Sequence, residues 1–177
     1  LKGHKCKIKL KYIDEVYAIF NYNDVIKNLI ESYKFKRYTK ISEFFIPFVV
    51  EKIEKVLPAF DLIIPVPLHP SKERERGFNQ NVLILEGVKK ILKINYRNDI
   101  MIRVKPTKPQ SRIKKIEERK ENVRDAFKVK KKKAIKDKRV LLFDDVSTSG
   151  KTIEECARVL KSEGAKYVFA LTIATGS

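Results

Sequence analysis

The chain has 177 residues, and its 40 Lys and Arg residues against 22 Asp and Glu residues give a formal net charge of +18 at pH 7. The length suits one domain with a sizeable core and a small appendage. A surface this basic favours phosphates, nucleic acids or acidic proteins as partners, and abundant Lys, Glu and Ile also suit a thermophile-like surface. No stretch reaches the roughly 20 apolar residues of a membrane span, and no signal-peptide pattern opens the chain.

Two cysteines and two histidines limit the metal chemistry that the sequence can support. Cys6 and Cys156 lie far apart, and Cys156 falls on the apolar side of a predicted helix, which argues against a disulfide framework and favours a cytoplasmic location. His4 and Cys6 are potential soft ligands in the basic opening segment, but a structural zinc site takes about four ligands. We interpret them as a remnant or a bystander, and a first residue of Leu1 rather than Met indicates that residues have been lost before it.

A strand, a helix, a basic loop and a second helix are predicted in the first third of the chain. β-Branched and aromatic residues predict the strand over residues 16–20, and Asp24 is the expected N-cap of the helix that follows. Residues 34–40 form a basic loop with interleaved aromatics, which either covers the core or contacts a single strand of nucleic acid. Residues 41–57 predict the second helix, with Pro47 near its first turn or at a kink. Its expected buried positions are Phe44, Phe45, Phe48, Val49, Ile53, Val56 and Leu57.

A buried strand over residues 61–66 leads into a charged loop, residues 68–79. The loop carries cations and a glycine at Lys72, Arg74, Arg76 and Gly77. It ends at Asn79, the expected cap of the next helix. Cations that follow the carboxyl end of a parallel strand stand where α/β sheets place their ligands, although the same loop also fits a charged surface turn.

Polar, basic and proline-punctuated residues 105–120 follow a predicted strand at 99–104. A loop this long in a compact domain suits a lid or a segment without a chemical role. Residues 128–139 then hold eight basic residues in twelve. Such a block suits a solvated hairpin or linker, or a contact with nucleic acid.

The most informative stretch is RVLLFDDVSTSGKT, residues 139–152. Its apolar run predicts a strand buried on both faces, and two aspartates follow at the carboxyl end. A loop of small and hydroxylated residues then leads into a helix with apolar positions on one face, and Gly164 fits its C-terminal cap. A last strand over residues 167–173 completes an alternation of strands and helices that favours a parallel α/β sheet.

The loop after the aspartates has the features of a phosphate site, because small residues and the amides of a helix N-terminus admit an anion closely. A Walker A loop needs a glycine five residues before Gly150, where this chain has Asp145, so a P-loop NTPase is excluded. Carboxylates accept hydrogen bonds from hydroxyls and attract Mg²⁺. Asp144 and Asp145 beside this loop therefore suit a ligand with a phosphate and vicinal hydroxyls.

Residues 140–152 resemble the phosphoribosyl-pyrophosphate (PRPP) motif of type I phosphoribosyltransferases. The resemblance implies that Asp144 and Asp145 are catalytic, hold the ribose hydroxyls and bind Mg²⁺ through PRPP or water. It assigns the 5′-phosphate to Val146, Ser147, Thr148, Ser149, Gly150, Lys151 and Thr152. It also implies a fold with a parallel sheet flanked by helices and a small N-terminal hood.

The segments LIIPVPL at 62–68 and RGFNQ at 76–80, with Gln110, Arg119, Asn122 and the PRPP motif, narrow the resemblance to the competence protein F family. This implies a pyrophosphate loop formed by Pro67, Leu68, His69, Arg74 and Arg76. It implies a lid at about 105–120 with Gln110, Lys114 and Asn122, and a catalytic Arg119. It divides the chain into a hood, 1–58, with a remnant of a cysteine-rich module at 1–7, and a core, 59–177. Zinc is expected only in a longer N-terminal form.

Two functions are compatible with this resemblance. In the first, the protein is a Mg²⁺-dependent phosphoribosyltransferase that releases pyrophosphate from PRPP and is linked to competence and DNA uptake. In the second, the same site senses PRPP or a nucleotide without catalysis, while the basic surface binds single-stranded DNA or a competence protein. The acceptor and the oligomeric state do not follow from the sequence.

Overall fold

A parallel sheet forms the centre of the fold in this computed structural model, which describes residues 10–35, 38–106 and 123–176. Its strands are β1 (Glu15–Asn21), β2 (Leu62–Pro65), β5 (Arg139–Ser147) and β6 (Tyr167–Thr175), in the order β1-β6-β5-β2. A separate antiparallel pair contains β3 (Met101–Arg103) and β4 (Phe127–Val129). The predicted class, a parallel sheet flanked by helices, is confirmed.

The helices cover both faces of the sheet. They are α1 (Asp24–Phe35), α2 (Ile41–Lys55), α3 (Pro70–Arg76), α4 (Gln80–Ile91) and α5 (Lys151–Ser162). Residues of α1, α2 and α4 form a hydrophobic core with Phe143 on one face, and residues of α5 and the β3–β4 pair form a second core with Leu142 on the other. No helix within the described ranges combines the length and apolar character that crossing a bilayer requires.

The central strand β5 is longer than its apolar run. It pairs with β2 on one side and β6 on the other, and Val146 and Ser147 still pair with Ala174 and Thr175 of β6. The prediction that the aspartates follow the strand is therefore wrong, because continued pairing with β6 places both inside the carboxyl end of β5. This placement fixes their backbones in the sheet.

Helix ends agree with the sequence in part. Capping of α4 by Asn79 is confirmed, and Gly164 follows α5 with a φ of +97°. The cap of α1 is Asn23 rather than Asp24, because Asn23 Oδ1 accepts the Ile26 N–H at 2.9 Å.

The structure differs from three further expectations drawn from the sequence. Residues 68–79 are not one loop, because α3 forms within them. Phe44 and Val56 are 46% and 40% exposed rather than buried, since α2 turns Phe45 and Val49 towards the sheet. The basic segment 128–139 begins with β4 and includes a single 3-10 turn at Lys132–Ala134. The hood boundary at residue 58 stays a prediction, and β1, which precedes it, forms an edge of the main sheet.

Candidate active site

Asp144 lies at the carboxyl end of β5 and is held by the start of α4. Its side chain is 8% exposed, and its Oδ1 accepts hydrogen bonds from Asn81 Nδ2 and the Asp145 N–H, both at 3.0 Å. Asn81 Nδ2 also lies 3.3 Å from the carbonyl of Val66, which Asn79 Nδ2 contacts at the same distance. The end of β2, the first turn of α4 and the acid of β5 are therefore joined by one hydrogen-bond network.

Asp145 is oriented differently, because successive side chains of a strand point to opposite faces of a sheet. It is 3% exposed, and its Oδ2 lies 2.7 Å from Nζ of Lys34 in the last turn of α1. The two acids thus have different partners, an amide for Asp144 and an ammonium for Asp145. The backbone of β5 keeps both at one end of the sheet.

Burial is the main influence on the ionisation of Asp144. Together with the negative charge of Asp145, it raises the pKa of Asp144 above the ordinary value of an aspartate. The hydrogen bond from Asn81 and the positive charge of Lys34 oppose this rise in pKa. Burial and the neighbouring carboxylate therefore both disfavour the ionised form of Asp144.

We expect Asp144→Asn to raise the free energy of unfolding at neutral and alkaline pH. Because the folded state raises the pKa of this acid, stability is lost as the pH rises from the ordinary aspartate pKa through the raised folded value. Asparagine escapes that loss, and the gain should vanish in acid, below the ordinary pKa. Urea unfolding across a pH series measures the difference.

Asp61→Asn is the control with the opposite sign, because hydrogen bonds from Arg139 lower the pKa of Asp61. This variant should lose stability at neutral pH, and the loss should fade as the pH falls through the lowered folded pKa. Lower stability of Asp144→Asn than of the parent at neutral pH would contradict the inferred charge burial.

The candidate phosphate loop connects β5 to α5. Ser147 is buried, and its hydroxyl has no hydrogen-bond partner among the described residues. Gly150 is the N-cap of α5 with a left-handed φ of +71°, and as a glycine it contributes no side-chain cap. The N–H groups of the first helical turn and the Ser147 hydroxyl can donate hydrogen bonds to an anion. The predicted phosphate-binding residues, Val146 to Thr152, therefore lie at the end of β5 and the N-terminus of α5.

Leu10 closes one side of this loop. A Cβ placed on Gly150 would lie 3.0 Å from Leu10 Cδ1 and 3.1 Å from Leu10 Cδ2. The segment is fixed there because Glu154 of α5 accepts hydrogen bonds from the N–H groups of Lys11 and Tyr12. The space beside Gly150 is therefore filled by the Leu10 side chain.

The predicted pyrophosphate loop separates into two parts. Pro67, Leu68 and His69 connect β2 to α3, and His69 caps α3 by accepting the Ser71 N–H. Arg76 is half-buried at the end of α3, donates a hydrogen bond to Gln80, and interacts electrostatically with Asp145. Arg74 is exposed. Arg76 is therefore a cation of this loop that interacts with Asp145 of the acid pair.

Several predicted residues cannot be compared with the structure. Arg119, Gln110, Lys114 and Asn122, like His4 and Cys6, lie outside the described residues. The catalytic and lid roles stay predictions.

Sequence reasoning missed Asn81 and Lys34. Asn81 follows the cap of α4 by two residues, and nothing in the local pattern distinguishes a second asparagine from a surface residue. The sequence pattern places Lys34 in a basic loop, whereas it belongs to α1 and meets Asp145. Arg103 was also missed; its guanidinium lies 5.2 Å from the Phe127 ring centre and interacts electrostatically with Asp144.

The acid pair is suited to Mg²⁺ that binds together with a phosphate-bearing ligand. No group of three or more His, Cys, Asp or Glu residues in the described part of the chain could hold a metal. Mg²⁺ commonly binds through one or two carboxylates while water and substrate phosphates supply its other ligands. Asp144 and Asp145 match that donor set when a phosphate-bearing ligand is present.

A family model described as a phosphoribosyl transferase domain matches residues 84–176, from within α4 through β6. The chain therefore belongs to the phosphoribosyl transferase domain family. Among curated proteins, it is 29% identical over 161 residues to competence protein F of Haemophilus influenzae, across 88% of this chain and 70% of that protein. It is 30% identical over 153 residues to competence protein ComFC of Streptococcus pneumoniae, across 85% of this chain and 64% of that protein.

Solved structures support the same fold. Adenine phosphoribosyltransferase from Leishmania donovani superposes with a TM-score of 0.53 and 11% identity, across 97% of this chain and 86% of that one. At this identity the likeness concerns the fold alone. The predicted competence protein F resemblance and the type I phosphoribosyltransferase fold are both confirmed.

Proposed function

We propose that the chain binds PRPP, or a nucleotide through its 5′-phosphate, together with Mg²⁺, and transfers the phosphoribosyl group to an acceptor with release of pyrophosphate. The observation that carries this proposal is the position of two buried carboxylates at the end of β5, directly before the loop that starts α5. Membership of the phosphoribosyl transferase domain family supports it.

Each part of the site has a chemical task in this proposal. Asp144 and Asp145 accept hydrogen bonds from the ribose 2′- and 3′-hydroxyls, because ionised carboxylates are strong acceptors. The N–H groups of residues 147–152 donate to the 5′-phosphate at the start of α5. Arg76 and the backbone of Pro67, Leu68 and His69 bind the pyrophosphate.

Magnesium would bind at the acid pair together with the ligand. Asp144 and Asp145 would hold it through PRPP or water, and the ion would supply charge neutralisation for the pyrophosphate leaving group. Asn81 orients Asp144 through its hydrogen bond, so the carboxylate is in place before the ligand arrives. Donors fixed in this way stabilise developing charge without reorganising during the reaction.

The reaction is a substitution at the anomeric carbon of PRPP. The bond from this carbon to the pyrophosphate oxygen breaks, its electron pair leaves with pyrophosphate, and a lone pair of the acceptor forms the new bond while the acceptor's proton passes to solvent. Arg76 is the cation assigned to the leaving group, and Arg119 stays a catalytic residue by resemblance only. Cations at this position lower the cost of the charge that develops on the departing oxygen.

Pyrophosphate release from Mg²⁺-PRPP with nucleobases and amines as acceptors tests the proposal. We expect one acceptor class to accelerate release in the parent protein and to have no effect in a variant with both Asp144 and Asp145 changed to Asn. Tight PRPP binding without pyrophosphate release in the presence of any acceptor would favour the sensing function instead. Absence of PRPP binding would overturn the proposal.

The alternative, a PRPP or nucleotide sensor that also binds single-stranded DNA or a competence partner, has its own supporting observation. The block 128–139, which runs from β4 to the start of β5, carries exposed lysines. Lys131 and Lys132 pair with Asp99 and Glu163, whereas Lys128, Lys130 and Lys133 form no ion pair among the described residues. The competence names of the relatives agree with a DNA-linked role.

Under this alternative, we expect weak binding of single-stranded oligonucleotides that depends on salt rather than on sequence. The logarithm of affinity should fall with the logarithm of salt concentration by about 0.7 per phosphate contact. Changing Lys128, Lys130 and Lys133 to Ser should flatten that slope, which fluorescence anisotropy measures. Changing Lys131 and Lys132, which are already paired with acids, is the matched control and should have a smaller effect. No binding at low salt would reject the DNA role.

We also propose a cytoplasmic location. The buried thiol of Cys156 is a free cysteine. A reducing compartment keeps such thiols in this state. Fractionation of cells that express the full-length protein tests this assignment.

A further inference from the structure

Lys34 and Asp145 form the ion pair that connects the predicted hood to the acid pair. Nζ of Lys34 lies 2.7 Å from Oδ2 of Asp145, and the two side chains are 20% and 4% exposed. Lys34 belongs to the last turn of α1, while Asp145 belongs to the central strand β5. A contact between such distant segments is a feature of the tertiary structure and not of either element alone.

The end of α1 is held in position by the residue next to Lys34. Tyr33 is fully buried, its hydroxyl donates to the carbonyl of Gln80 at 3.0 Å, and its ring lies 5.5 Å from the Phe78 ring centre. Gln80 in turn accepts a hydrogen bond from Arg76. The backbone of Lys34 is therefore anchored without help from its own ammonium, so the ammonium is free to change partner while α1 stays in place.

The ammonium and a divalent metal compete for the same carboxylate. A metal that binds alone would take Asp145 from Lys34 and leave a partly buried cation without its acid, which is costly. A metal that arrives with PRPP brings phosphate oxygens, and these are strong acceptors for an ammonium. Binding of metal alone and binding of metal with PRPP therefore differ in what happens to Lys34.

We propose that Lys34 is a built-in counter-ion that opposes binding of free divalent metal to the acid pair and exchanges Asp145 for a phosphate oxygen when metal and PRPP bind together. Lys34 is thus a binding residue that makes metal and ligand bind jointly. This inference rests on the proposed PRPP function and adds a residue from α1 to the site. It assigns to the hood a part in ligand selection, since a ligand without phosphates offers Lys34 no replacement for Asp145.

Two affinities measured on Lys34→Met test the inference, because they should change in opposite directions. Met keeps the length of the side chain and removes the charge. Binding of Mn²⁺ alone, followed by the electron paramagnetic resonance signal of the free ion, should become about tenfold tighter, as expected when the ammonium of one close ion pair no longer competes. Binding of Mg²⁺-PRPP, followed by calorimetry, should become about tenfold weaker, because one charged contact to phosphate is lost.

Two further variants serve as controls. Lys34→Arg keeps the charge and should hold both affinities closer to the parent than Lys34→Met does. Lys27→Met removes an exposed lysine from the same helix and should leave both unchanged. Weakening of both affinities in Lys34→Met, or a change in neither, would overturn the role of Lys34. If the parent protein itself fails to bind Mg²⁺-PRPP, the proposed function fails and this inference falls with it.

Discussion

The variant with Asp144→Asn and Asp145→Asn is expected to bind Mg²⁺-PRPP less favourably, with a binding free energy weaker by at least about 2 kcal/mol. Two charge-assisted hydrogen bonds at roughly 1.5–3 kcal/mol each are degraded in this variant. The fold should persist, since Asn retains a carbonyl that accepts the hydrogen bond of Asn81. Both acids also lie at an end of the sheet rather than in its apolar cores. Isothermal titration calorimetry measures the loss.

The control variant changes an acid that lies on the surface, away from the acid pair. Asp137 is exposed and has a left-handed φ of +59°, a conformation that Asn adopts readily. Asp137→Asn should therefore fold and bind Mg²⁺-PRPP as the parent does. Unchanged affinity in a folded double variant would remove the acid pair from the ligand site.

The sequence predicted the buried run of β5 well because its signals are local. Four consecutive apolar residues identify a strand buried on both faces, and all four of them, Val140, Leu141, Leu142 and Phe143, are fully buried. The helical pattern after Gly150 likewise places Cys156 in the core. Chain-local patterns of this kind depend on few distant partners, so they predict the elements even when the tertiary structure is unknown.

The parts that the sequence did not predict depend on distant partners. β5 extends past its apolar run only because β6 continues beside it to Thr175. The strand β4 has three residues, so its alternation of buried Phe127, exposed Lys128 and buried Val129 is too short to distinguish from a loop. Lys34 resembles many other surface lysines until the fold brings it to Asp145. Polar contacts between remote segments leave no periodic pattern.

Gly150→Ala is expected to reduce ribose 5-phosphate affinity at least about tenfold, because an L-residue disfavours the φ of +71° and reorients the amides that start α5. The change should also lower the melting temperature, since strain in the left-handed region costs about 1–3 kcal/mol and the new methyl group meets Leu10. Calorimetry with ribose 5-phosphate and thermal unfolding measure the two effects separately.

Two comparisons separate the phosphate effect from general destabilisation. Gly164 has a similar φ of +97°, and a Cβ there would lie no closer than 3.6 Å to Lys136, so Gly164→Ala should lose stability at the far end of α5 but keep phosphate affinity. Adding Leu10→Ala to Gly150→Ala should recover part of the melting temperature by relieving the steric contact, without recovering affinity. A folded Gly150→Ala that binds ribose 5-phosphate as tightly as Gly164→Ala would place the phosphate away from this loop.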